Sequence, residues 1–204
     1  MRLYYHPFSF NARRAVMAAI HLGAPVELTL VDLPKREHLQ PQFLKMNPNH
    51  KVPVLADGDF YLWESYAIMQ YLADKTPGQT VYPTDLCARA DVNRWMFWSS
   101  QHFSPAIAVF NWENVVKGLI GLGGPDPAEI KRGETLFTPL AEVLDAHLAG
   151  RDWICGSSVT LADLAVAAPL GQAGPAKLPV APYANIQQWM QRVQALEAWK
   201  KTAF

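Results

Sequence analysis

The chain has 204 residues, half of them apolar, and its 18 basic side chains balance 18 acidic ones. That length allows one compact unit or two small domains, burying about 70% of the unfolded surface. Zero net charge argues against nucleic acid or an anionic membrane as the main partner, and no apolar run approaches the roughly 20 residues of a membrane span.

Met1-Arg2 leads into the strand-like run Leu3-Tyr4-Tyr5 without the apolar core of a secretion signal. Ala12, Ala15, Val16, Ala19 and Ile20 follow at i, i+3, i+4 spacing, one face of a helix that Gly23 and Pro25 end. Val26 to Val31 alternates as a half-buried strand does. Val52-Pro-Val-Leu55, a turn at Asp57-Gly58 and Phe60 to Trp63 read as a hairpin, and Ile68, Met69 and Leu72 mark a closing helix. The order is βαβ, a short helical stretch, then ββα, over residues 1–75.

Residues 76–85 are a turn-rich linker, after which strand signals stop. Residues 86–204 read as an all-helical domain. Val92, Trp95, Met96, Ser99, Phe103, Ala106 and Phe110 keep helical spacing with a bend at Pro105, and Gly118 to Pro127 is a loop. A second long helix carries Ile130, Phe137, Leu144 and Leu148, with Pro139 as a kink. Shorter helices follow over 161–168, 186–193 and 195–200. Cys87 and Cys155 are isolated, with no CxxC pair, which fits a reduced, cytoplasmic protein. No His/Cys cluster has metal spacing, and Gly121-Leu-Gly-Gly124 lacks the strand and the Lys-Ser/Thr of a phosphate loop.

Three places could carry chemistry. Ser9 and Asn11 put a hydroxyl and an amide at the strand-to-helix corner, where the residues alone favour a plain helix cap for Ser9. Val52-Pro53 fits a bend, with a cis bond as one option, that turns strand-like backbone outward to pair with a peptide-like ligand; a loop-ending proline explains it equally well. Glu64-Ser65 opens a helix, where a serine is first of all a cap. Free N–H groups there also favour a carboxylate, and Glu64 could hold an amine. Thr160-Leu-Ala-Asp163 is a capping box with Val159 and Leu164 as its staple, a folding signal rather than a catalytic one.

With these in place the chain resembles the cytosolic glutathione transferases, in their bacterial, serine-type form. "NPNHKVPVL" (47–55), "DGDFYLWESYAIMQYL" (57–72) and "SSVTLADLAVAAPL" (157–170) carry the resemblance. His50 departs from it, standing where many members have glycine. The resemblance implies an N-terminal thioredoxin-like domain, an all-α domain contributing the electrophile pocket, and a homodimer. It also implies detoxification chemistry in which glutathione, the co-substrate and sole small-molecule requirement, attacks a hydrophobic electrophile.

Ser9 would then donate to the glutathione sulfur, with Asn11 close behind and Tyr5 third. A thiol with an ordinary pKa of about 8.5 needs such help to ionise. His38 and Lys51 would meet the glycine carboxylate, Val52-Pro53 the cysteinyl backbone, and Glu64 and Ser65 the γ-glutamyl end. Phe8, Trp98, His102 and Phe110 are expected off the core face, lining an apolar pocket. Disulfide reduction through Asn11 on a mixed disulfide, and non-catalytic binding, are the alternatives. Tyr66, Met69 and Gln70, with Asp91, Arg94, Met96 and Phe97, are expected to supply dimer surface.

Overall fold

The computed structural model describes residues 1–202, which form two compact units: Met1–Pro83 with the segment beginning at Ala195, and Thr84–Gln194. In the first unit, β1 (Arg2–Tyr5) leads to α1 (Phe10–Leu22) and β2 (Glu27–Leu30); a 3-10 turn (Glu37–Leu39) and α2 (Pro41–Met46) follow. The hairpin β3 (Val54–Asp57) and β4 (Phe60–Trp63) then precedes α3 (Ser65–Asp74). The sheet order is β2-β1-β3-β4. β1 runs parallel to β2 and antiparallel to β3, with Leu3 opposite Leu28 on one side and Leu55 on the other. Leu3, Leu55, Ala15, Ile68 and Leu72 close one core between the sheet, α1 and α3; Ala12, Val31, Phe43 and Val54 close a second.

Local chemistry sets the breaks. α1 stops at Gly23, whose φ of +61° turns its N–H back onto the Ala19 and Ile20 carbonyls. The two-residue turn between β3 and β4 uses Gly58 at φ +60°.

The helical domain was expected to run to residue 204, but the segment from Ala195 belongs with the first unit. α10 (Glu197–Lys200) packs on α1. The Arg13 guanidinium lies 3.8 Å from the centre of the Trp199 ring, and its Nε donates to Thr202 Oγ1 at 3.3 Å. Burial lowers Arg13 to a pKa of about 10. A cation stacked on an indole recovers part of that desolvation.

In the second unit α4 (Leu86–Trp98), a π-helical stretch (Ser99–Phe103), α5 (Ser104–Asn111), a second π stretch (Trp112–Val116) and α6 (Lys117–Leu119) succeed one another without leaving helical dihedrals. The disturbance expected at Pro105 is realised as the π stretch just before it. Proline lacks an N–H and its ring would strike the carbonyl four residues back, and widening the turn avoids both problems. α7 (Pro127–Leu148) follows, uninterrupted by Pro139, and then α8 (Leu161–Leu170) and α9 (Ala184–Ala195).

Phe110, Phe103, Phe137, Leu144 and Trp189 are buried here. Asp163 is fully buried under α8. Its Oδ1 accepts from the Ile154 N–H and the Trp189 indole, each at 2.9 Å; its Oδ2 accepts from the Thr160 N–H at 2.8 Å and the Thr160 hydroxyl at 3.0 Å. The Thr160/Asp163 capping box is thus present. Burial pushes the carboxyl up, and these four donors pull it back. No helix among the described residues is long and apolar enough to cross a membrane.

Candidate active site

Ser9 is the cap of α1. Its backbone is extended (φ −90°, ψ 108°), its N–H donates to the His6 carbonyl at 3.1 Å, and its Oγ accepts the Ala12 N–H at 3.2 Å. The capping role is therefore real, and among the described residues the hydroxyl proton meets no acceptor, although a hydroxyl can accept and donate at once. The proton belongs to an oxygen pinned at the positive end of a 13-residue helix. Asn11 is exposed in the first turn of the same helix. Tyr5 ends β1 opposite Leu30 and packs against both cores of the unit.

α3 begins at a strained residue. Glu64 has φ +72° and ψ 109°, a conformation that costs a non-glycine residue about 1–3 kcal/mol and collects at functional sites. Glu64 is the boundary residue, so Ser65 is the first helical residue rather than the cap that the sequence suggested. Ser65 is buried, and its Oγ accepts from Arg14 Nη1 at 3.4 Å.

Arg14 was not singled out from sequence, yet it joins the two helix starts. It is buried, with its guanidinium carbon 4.3 Å from the centre of the Tyr66 ring. Burial draws it below the ordinary arginine value, and Tyr66 and Glu64 act the other way. The signal was a charged pair, Arg13-Arg14, interrupting the apolar face of α1. A guanidinium beneath the first turn of α3 adds to the helix dipole and makes that turn a place for an anion.

The loop before β3 completes the set. Val52-Pro53 is a cis peptide, and both residues are buried. The β1–β3 ladder runs only from Ala56 to Val54, so Val52 lies just beyond it. Asn47 is buried and holds the loop, its Nδ2 donating to the Lys51 carbonyl at 2.7 Å and its Oδ1 accepting from the Asn49 N–H at 3.0 Å. His50 takes φ +60°, the backbone that the family's glycine would adopt without strain, so the substitution keeps the left-handed turn at some cost. Lys51 is exposed; His38 is half-buried on the 3-10 turn, and its Nδ1 is enclosed without a hydrogen-bond partner among the described residues.

The expected pocket aromatics divide. Phe8 is 62% exposed beside Ser9. In the helical unit His102 is exposed and lines an open groove of about 340 Å³ with Pro105, Arg132, Leu136 and Pro139. Trp98 stacks on Phe103 at 5.0 Å between ring centres. Phe110 corrects the expectation: it is 2% exposed, edge-on to Phe137 and pressed against Gly133, because helical drift places it on the core face. Two residues expected on dimer surface, Met69 and Met96, are likewise core, whereas Phe97 is 62% exposed.

Among known proteins, a family model described as glutathione S-transferase, N-terminal domain, matches residues 1–74, and one described as glutathione S-transferase, C-terminal domain, matches residues 127–192. Glutathione S-transferase 3 of Zea mays is 33% identical over 207 residues, covering 99% of this chain and 92% of that one. Glutathione transferase F7 from Populus trichocarpa superposes with a TM-score of 0.91 at 29% identity, covering 99% of this chain and 97% of that one. Glutathione S-transferase-I bound with lactoylglutathione superposes with a TM-score of 0.89 at 25% identity, covering 99% and 97%.

A thioredoxin-like sheet unit followed by an all-helical one defines a class of glutathione-using enzymes. The chain belongs to the glutathione S-transferase family and is a glutathione transferase. Both plants named here are eukaryotes, so these relatives do not carry the bacterial affinity suggested by the sequence.

Proposed function

We propose that the first unit binds glutathione with its sulfur at the Ser9 hydroxyl and its γ-glutamyl end at Glu64 and Ser65. The observation that carries this reading is the Ser9 cap: Oγ is held by the Ala12 N–H at 3.2 Å while its proton remains for an acceptor outside the chain. Scale supports it. Arg14, which touches Ser65, lies five residues along α1 from Ser9, roughly 7.5 Å of helix rise, within the reach of an extended tripeptide, about 10 Å. Val52, beyond the end of the ladder, offers strand-like backbone to the cysteinyl unit, and His38 and Lys51 offer N–H donors to the glycine carboxylate. Recognition of this kind needs no metal or added cofactor.

The chemistry follows from the hydroxyl and the helix end. Both favour the charged form of a thiol, and each pKa unit gained is about 1.4 kcal/mol. The thiol proton leaves to solvent, and the sulfur lone pair forms a bond to an electrophilic carbon. The leaving group departs with the electrons of the bond it breaks. Phe8, exposed beside Ser9, is the apolar side chain offered to a hydrophobic electrophile, and the working form is a homodimer with Phe97 on its surface. Sedimentation at micromolar concentration tests that form: about twice the 22.8 kDa chain mass is expected, and a single species at the chain mass refutes it.

Turnover with an aryl halide, alongside ultraviolet titration of the bound thiolate, tests the site. Ser9→Ala should lower kcat on the order of 10²-fold and move the thiolate titration to higher pH, with glutathione affinity little changed. If Asn11→Ala or Tyr5→Phe does this instead, the thiol activator is that residue. Activity confined to a mixed disulfide replaces transfer by disulfide reduction.

A further inference from the structure

His6 stands three residues before Ser9 and has no place in the scheme above. It is only 8% exposed, and it holds the intervening turn with two groups. Its carbonyl accepts the Ser9 N–H at 3.1 Å, and its ring Nδ1 accepts the Phe8 N–H at 3.3 Å. The ring also packs against Phe8, with centres 5.5 Å apart. A side-chain acceptor taking the N–H two residues on is the device by which Asn and Asp close a turn; here an imidazole does it.

We infer that His6 is a positioning residue for glutathione transfer: its neutral ring holds the Phe8 amide and so fixes the Pro7–Phe8–Ser9 turn that presents the Ser9 hydroxyl. The inference rests on Ser9 as the thiol activator. Only an unprotonated Nδ1 can accept, so the ring carries its proton on Nε2. Protonation would set an N–H against the Phe8 N–H, and the turn would lose its clasp.

The surroundings keep the ring neutral. Burial lowers its pKa and is the largest influence. The charged and titratable groups facing it are Asp32, after β2, which favours the imidazolium, and His38, on the 3-10 turn, which opposes it. Asp32 is itself engaged by Lys35, through the ammonium at 2.8 Å and the backbone N–H at 2.9 Å, and its own N–H is taken by Glu37 at 2.8 Å. Its charge is therefore partly answered before it reaches His6.

The test uses the full chain, reduced glutathione and 1-chloro-2,4-dinitrobenzene, with His6→Ala, His6→Asn and Ser9→Ala beside the wild type. His6→Ala should lower kcat on the order of tenfold, leave the KM for glutathione nearly unchanged, and move the bound-thiolate titration to higher pH. His6→Asn should restore both, because its amide oxygen can take the same N–H without titrating, and it should outperform the wild type at pH low enough to protonate the His6 ring. Imidazole ¹⁵N spectra of the wild type near neutral pH should show the proton on Nε2 alone, a readout that stands even if His6→Ala fails to fold. A protonated Nδ1 there, or His6→Asn falling as far as His6→Ala, overturns the inference. So does His6→Ala with wild-type kcat and titration while Ser9→Ala shifts both, and in that case the Ser9 assignment survives. If Ser9→Ala leaves the thiolate titration unmoved, the Ser9 assignment falls and this inference falls with it.

Discussion

Two helix starts in this protein use the same hydroxyl chemistry to opposite ends. At α8, Thr160 and Asp163 are buried, and the carboxylate of Asp163 is saturated by four donors from within the chain. At α1, Ser9 is half-buried, and its oxygen accepts one N–H while its proton stays available. Both caps are hydroxyl residues, but Thr160 gives its proton to Asp163 Oδ2 at 3.0 Å. What separates them is whether the hydrogen-bonding capacity is used up by the protein: a saturated cap serves stability, and an unsaturated one at the surface keeps a group for a proposed ligand.

The largest break in that contrast comes from α8. Asp163→Ala strands the Ile154 and Thr160 amides and the Trp189 indole in the core, at about 1–3 kcal/mol each. A loss on the order of 3–5 kcal/mol is expected, which for a chain of this size lowers Tm by roughly 10 °C. Calorimetric scans check it, and glutathione affinity of the folded fraction should not move. Were affinity to fall while Tm held, the saturated cap would be a binding group after all.

At α3 the opposite trade is expected. Glu64→Gly removes the cost of a positive φ and should stabilise the protein by about 1 kcal/mol. It should also weaken glutathione binding, measured by calorimetric titration, because the carboxylate proposed to meet the amine is gone. A gain in both would show that Glu64 is not a ligand contact. Ser9→Ala removes a cap and should cost about 1 kcal/mol or less in stability, small beside its effect on turnover; a stability loss as large as that of Asp163→Ala would make the two helix starts equivalent.

The smallest effect is with pH. Burial holds His6 and His21 below the ordinary histidine pKa, so the unfolded chain binds protons that the folded one refuses. Stability from this source is complete above about pH 6.5 and is lost as pH falls from there toward the depressed values. Urea midpoints measured across that window should decline, and His6→Asn should flatten the decline. An unchanged slope would place His6 in ordinary solvent.

Much of this was legible in the sequence. A strand within Val26 to Val31, a turn after Asp57 and the Thr160–Asp163 spacing are local signals that appear in the structure because period and turn chemistry act over a few residues; the alternation misassigns the strand's buried face, since Leu28 and Leu30 are exposed. The misses share a cause as well. Phe110, Met69 and Met96 are core where the sequence predicts surface, because one period cannot say how many faces of a helix are covered. Arg14 has no sequence signature of its own, because a buried guanidinium is a matter of what surrounds it, namely Tyr66 and Ser65 on another helix. The partnership of Arg13 with Trp199 and Thr202 spans nearly the whole chain and no local pattern announces it.

That partnership bears on how the protein is made. A ribosome delivers the sheet, α1 and α3 first, and then the whole helical unit, before it releases the segment from Ala195 that finishes the first unit. Until then the Arg13 guanidinium has no indole to lie on, and the sheet unit is a nascent domain lacking that segment. The two halves are therefore not separate cistrons in waiting: residues 1–83 expressed alone would lack part of their own core. A gene fusion or circular permutation that respects the domain count but cuts near Gln194 would sever the half it meant to spare.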